Sequence, residues 1–180
     1  YKRLVIRGTT VIDGTGAPPN GPMDIVIEQD RISEVRTVGH PGLPINPGAR
    51  PQAGEHEIDA EGMYVLPGFV DAHAHIGFPQ QGRHGALAPA DYIYKLWLAH
   101  GITTIREVGS MNGLEWTLEQ RAQSAAGEIA APSIEAYALF PISDAIALTP
   151  EEARKWVHDV ADAGACGIKF LATHPDTMKA

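Results

Sequence analysis

Cysteine is nearly absent from this chain. Cys166 is the only one in 180 residues, so no internal disulfide can hold the fold and no Cys-rich zinc site exists. Missing too is any apolar run long enough to span a bilayer. Positive charge is scarce: 14 Lys and Arg stand against 22 Asp and Glu, a net charge of −8. That balance argues against nucleic acid or an anionic membrane surface as partner, and fits a solvated acidic surface that keeps the protein soluble. The first residue is Tyr1 rather than Met, and no signal peptide is visible. The compartment therefore stays open, with the cytoplasm expected first and periplasm or secretion as alternatives. What remains is ordinary globular composition, 44% hydrophobic and 20% charged, able to bury a core.

Residues 1–66 read as a small β-rich module. Leu4-Val5-Ile6-Arg7 and Thr10-Val11-Ile12 are short β-branched runs that end at the turn signal Asp13-Gly14-Thr15-Gly16. Asp24 to Glu28 and Arg31 to Val35 flank Gln29-Asp30 as a hairpin. The Gly- and Pro-rich stretch 39–54 predicts a surface loop, after which Glu57-Ile58-Asp59 and Met63 to Leu66 lead to a Pro67-Gly68 junction.

From residue 67 the pattern changes to alternating strand and helix. Strands are predicted at Phe69 to Ile76, Ile102 to Val108, Ser133 to Leu139 and Cys166 to Leu171. Between them come a helix capped by Asp91 and stopped at Gly101, and a second helix over Leu114 to Ala126. A third begins at Thr149-Pro150-Glu151-Glu152 and stops at Gly164; Thr at the N-cap, Pro at N1 and Glu at N3 form a capping box. Such alternation predicts a parallel sheet with helices outside. Four βα steps fill residues 67–180, whereas a complete (β/α)8 barrel takes about 250 residues.

Chemistry concentrates at two points. In Pro67-Gly68-Phe69-Val70-Asp71-Ala72-His73-Ala74-His75-Ile76, a turn leads into an apolar strand carrying histidines at i and i+2. Side chains alternate along a strand, so His73 and His75 face the same side and are preorganised for a first-row metal. Two core histidines hydrogen-bonded to backbone are the plainer alternative. The second point is Gly164-Ala165-Cys166-Gly167-Ile168-Lys169-Phe170, which sets Lys169 inside a short strand. A buried ammonium is expensive, so such a lysine is paired, neutralised or modified, unless it snorkels out of the strand end.

Pro67 to Ile76 resembles the first barrel strand of the amidohydrolase superfamily, metal-dependent hydrolases built on a (β/α)8 TIM barrel. The likeness extends over essentially the whole chain. It implies an α/β fold of which about the first four βα units are here, residues 67–180, preceded by residues 1–66 as the N-terminal part of a composite β-sandwich. It also implies that His73, His75 and Lys169 are metal ligands, with Lys169 carried as a carbon dioxide-derived carbamate bridging two divalent ions. Zinc is the default for that set, and manganese, iron or nickel would fit it. The implied reaction is cleavage of a C–N bond in an amide, cyclic amide or dipeptide by a metal-activated hydroxide. Two further histidines and the strand-eight aspartate that such enzymes use for proton transfer are not among these residues. The setting of Lys169 resembles the imidazolonepropionase-like and Xaa-Pro or Xaa-Arg dipeptidase branch.

Around these ligands, Asp71 is either an acceptor for an imidazole N–H or a purely structural carboxylate. Arg106 and Glu107 read as a local ion pair supporting the ligands. In the loop after the first strand, Arg83 and His84 are candidates for recognising a substrate carboxylate, and His174 follows the fourth strand closely enough to reach substrate. His40, His56, His100 and His158 fall outside the candidate set. A cyclic amidase of the dihydroorotase or hydantoinase type is the enzymatic alternative, but those enzymes carry Arg just after His-x-His, where this chain has Ile76-Gly77-Phe78. The non-enzymatic alternative is a catalytically incomplete half-barrel, acting as a fragment or subunit and completed by a missing C-terminal half or by homo-oligomerisation. Expected partners are a small-molecule or dipeptide substrate, with neither nucleic acid nor membrane.

Overall fold

In a computed structural model the chain divides into two compact units, Tyr1–Pro67 and Gly68–Ala180. The structure describes residues 1–77, 88–141, 148–171, 173 and 175–178.

The first unit is a five-stranded mixed sheet. Strand β1 (Arg3–Val11) lies at its centre, antiparallel to β2 (Asn20–Glu28) on one side and parallel to β4 (His56–Asp59) and β5 (Tyr64–Val65) on the other. Strand β3 (Arg31–Thr37) forms the edge beside β2. The pair Glu28↔Arg31 closes the hairpin over Gln29-Asp30, and Gln29 takes the left-handed conformation (φ 58°) that a tight two-residue loop demands. Val5, Ile25, Val26, Val38 and Ala60 form its buried apolar set. Asp24, an acid in the middle of β2, is fully buried. It is satisfied by the Gly8 N–H at 2.8 Å, Arg7 Nη1 at 2.9 Å and Arg50 Nη1 at 3.2 Å.

The second unit is an α/β layer with four parallel strands in the order β6 (Phe69–Ala74), β7 (Ile102–Glu107), β8 (Ser133–Leu139), β9 (Gly167–Lys169). Helices α1 (Ala90–Ala99), α2 (Gly113–Ala125) and α3 (Pro150–Asp162) make the connections, and a short α4 (Pro175–Met178) follows. Alternation along β8 shows why the sheet has two unlike faces: Ile134, Ala136 and Ala138 are buried, while Ser133 and Glu135 are exposed. The buried face packs Ala74, Ile76, Tyr94, Ile105 and Ile134 with Trp97 and Trp116 against them. The helices thus lie against the face that carries Ile105 and Ile134.

The capping box at α3 is formed: Thr149 Oγ1 accepts from the Glu152 N–H and the Glu152 carboxylate accepts from the Thr149 N–H. Helix α1 differs from expectation. It begins two residues earlier, with Pro89 at the N-cap, so Asp91 lies inside the first turn and caps nothing. From there its carboxylate favours the helix dipole and meets Lys95 one turn on, at 3.2 Å. Strands one, two and four are shorter than their apolar runs, ending at Ala74, Glu107 and Lys169, because pairing stops where each run still continues. Among the described residues no helix is long and apolar enough to cross a membrane.

Candidate metal centre

The candidate ligands stand at the C-terminal ends of parallel strands, the edge where α/β sheets place their ligand sites. His73 is in the last turn of the β6 pleat and exposed, whereas His75 follows the strand end with its side chain 27% accessible. Their i, i+2 spacing does bring the rings together, with centroids 5.3 Å apart and planes at 72°. Lys169 ends β9, in register with Leu139 and half-buried. Its charge reaches His75: burial first, then the positive charges of His73 and Lys169, hold the His75 imidazole below its ordinary 6.5. A hydrogen bond to the Gly109 backbone works in the opposite direction. That direction favours the neutral imidazole, the state a metal ligand needs.

Glu107, the last residue of β7, is the buried charge of this region. It is 0% exposed, one Oε accepts from the Ile76 N–H, and Oε1 lies 3.4 Å from His75 Nδ1. Burial pushes its carboxyl up to about 7, with the Ile76 N–H pulling the other way. The same burial, then the charge of Glu107, drives the nearby Tyr94 phenol upward.

Two expectations change here, and an open choice at Asp71 narrows. Arg106 and Glu107 do not pair with each other: as neighbours on a strand they face opposite sides, and Arg106 is exposed with its guanidinium 5.2 Å from the centre of the Tyr137 ring. Of the two roles open to Asp71, the structural one is what the described residues show. Its Oδ1 accepts the backbone N–H of His73 at 3.0 Å, a local bond across two residues of the kind Asp side chains favour. Lys169 sits at a strand end and is only half-buried, rather than enclosed within the strand. Arg83, His84 and His174 lie outside the described residues.

Does this donor set fit the metals that the fold suggests? Two adjacent imidazoles, one of them biased toward its neutral form, together with a buried carboxylate oxygen that accepts no hydrogen bond among the described residues, are chemistry suited to a divalent ion. Among the described residues, however, no three His, Cys, Asp or Glu side chains gather into one cluster. The pair fits a metal as part of a set and does not complete one.

No family model matches the chain. It is 36% identical over 77 residues to adenine deaminase of Leuconostoc citreum (strain KM20), a match covering 39% of this chain and 13% of that one. It is 37% identical over 84 residues to D-hydantoinase of Streptomyces coelicolor, covering 47% and 16% respectively. The crystal structure of a proposed prolidase from Bifidobacterium longum superimposes with a TM-score of 0.68 at 30% identity, over 96% of this chain and 41% of that one. The chain thus spans less than a fifth of the length of these curated relatives and about two fifths of the solved structure. On these likenesses the chain belongs to the amidohydrolase superfamily.

Proposed function

We propose that this chain forms the metal-holding first half of a metal-dependent hydrolase of C–N bonds, with His73, His75 and Lys169 as ligands. The observation that carries the reading is the pair of imidazoles 5.3 Å apart at a strand end, with the charge of Lys169 felt at His75. A divalent metal held there supplies Lewis acidity and an acidified water at neutral pH. His75 contributes a ring whose neutral form is favoured by burial and by the neighbouring positive charges. Lys169 contributes an amine that, when uncharged, adds to carbon dioxide: the N–C bond forms, one proton leaves, and a carboxylate replaces a cation that would repel the metals. Asp71 fixes the backbone of His73, so that the first imidazole leaves the strand at a set angle.

Substrate class follows from the relatives only in outline: a planar carbon bonded to nitrogen, as in an amide, a cyclic amide or a dipeptide. The D-hydantoinase likeness favours a cyclic amide as the second reading. Position 76 speaks against it, since Ile76 is fully buried in the apolar cluster and offers no cation to substrate.

Elemental analysis tests the proposal on protein purified without chelators and with bicarbonate present. Divalent metal is expected in the wild type and lost in the double variant His73→Ala/His75→Ala. Unchanged metal content in that variant, or none in the wild type, would overturn it.

A further inference from the structure

Three consecutive residues after β7 meet three consecutive residues at the end of β6. Val108 N–H donates to Ala74 O at 3.1 Å, the His75 ring donates to the Gly109 backbone, and Ser110 Oγ donates to Ile76 O at 3.2 Å. The middle contact reaches a candidate ligand, and the outer two hold the main chain on either side of it. Gly109 is also a position that disfavours any side chain. Its φ is +108°, and a Cβ there would lie 3.0 Å from Leu139 Cβ and 3.4 Å from Leu139 Cδ1. Leu139 ends β8 in register with Lys169, and Phe140 N–H donates to Lys169 O at 2.9 Å. The Gly109 backbone thus bridges His75 and the strand pair that carries Lys169.

We propose that Gly109 is a positioning residue of the metal centre: its carbonyl orients the His75 ring, and its missing side chain lets the ends of β8 and β9 approach. This rests on the metal-binding reading of His75 and Lys169. A backbone carbonyl that takes a ring N–H fixes the orientation of a ligand imidazole. Here the acceptor is main chain, so its aim depends on a backbone conformation that glycine adopts freely and other residues rarely do. Gly101 provides the contrast. Its φ is +77° and a Cβ there would lie 3.4 Å from the Phe69 ring, but it precedes β7 at the opposite end of the sheet, where its carbonyl takes the Phe69 N–H at 2.8 Å. Comparable backbone demand at the two ends of β7 separates a glycine needed by the fold from one needed by the site.

Cobalt(II) affinity, read by competition with a chromophoric chelator in the full-length protein, tests this beside urea unfolding of the same variants. Gly109→Ala is expected to weaken binding by about 10- to 100-fold. Gly101→Ala is expected to lose stability yet keep its affinity within about twofold. An affinity within about twofold of wild type in Gly109→Ala, or an equal loss in both glycine variants, would overturn the role of Gly109. The metal site would still stand if His73→Ala/His75→Ala loses its metal. Unchanged affinity in that double variant would remove the metal reading and this one with it. Proton NMR of the metal-free wild type needs no variant, and so decides the matter even where Gly109→Ala does not fold. A nuclear Overhauser contact between a His75 ring N–H and the Gly109 Hα is expected, and a ring without that contact would overturn the inference.

Discussion

Removing the Asp24 side chain is the sharpest structural test of the first unit. The carboxylate is fully buried and takes the Gly8 N–H at 2.8 Å, Arg7 Nη1 at 2.9 Å and both contacts of Arg50 Nη1 at 3.2 Å. Asp24→Ala strands a backbone N–H and leaves Arg7, whose side chain is 13% exposed, short of one anion. Breaking a buried pair from one side costs about 3–5 kcal/mol. Arg7 retains Glu57 and the Pro51 carbonyl, and the Arg50 side chain at 29% exposure can turn to water. Those retained contacts place the expected loss near the lower end, about 3 kcal/mol. Asn, which keeps the shape but one acceptor oxygen, is expected to lose about 2 kcal/mol. The choice of probe matters, because Trp97, Trp116 and Trp156 all lie beyond residue 67 and do not report on this sheet. Amide hydrogen exchange at Val5 and Val26, both 0% exposed, does. A loss of about 3 kcal/mol accelerates their exchange by roughly a hundredfold or more when opening limits it. Acceleration of less than about fivefold in Asp24→Ala would show that the arginines relax into solvent and that the network holds little.

Two further outcomes concern the second unit, where tryptophan fluorescence in urea is the natural probe. Thr149→Ala removes the N-cap of α3 and is expected to cost about 1 kcal/mol. The Thr149 N–H, then its hydroxyl, hold the Glu152 carboxyl below its ordinary 4.5, so the stabilisation is present above that pH and is lost as pH falls through the lowered value. The gap between wild type and variant should therefore narrow in acid; a gap that widens would refute the cap. Gly167→Ala would set a Cβ 2.3 Å from the Tyr137 ring, displacing either that ring or β9. A loss of about 1–3 kcal/mol is expected, together with weaker metal retention because Lys169 lies two residues on; unchanged stability would show that Tyr137 turns aside freely.

Local signals were legible because their physics is local. Alternation alone put His73 and His75 on one side, and the residue types at Thr149, Pro150 and Glu152 sufficed for a capping box. The parallel α/β layer followed from strands alternating with helices. Helix α1 shows where local reading stops: Asp91 is a good cap by type, but the chain turns into the helix two residues earlier at Pro89. Asp24 could have been flagged as an acid within Met23-Asp24-Ile25-Val26, yet its partners Arg7 and Arg50 are 17 and 26 residues away, the first brought in by strand pairing and the second by the loop before β4.

Glu107 illustrates the harder limit. Adjacency in sequence suggested a pair with Arg106, but adjacent residues on a strand are the two least able to meet. The informative neighbours were Ile105, which shares its face, and Ile76, whose N–H lies 31 positions earlier in the chain. Register irregularity in β6 between Asp71 and Ala74 aligns Ala74 with Glu107, and no spacing rule reveals such a shift. A carboxylate buried at a strand end, beside a histidine already singled out, is thus a feature that only the folded chain supplies. It is also where an unpaired charge would cost most, which makes its placement against His75 a stronger functional indication than its residue type alone.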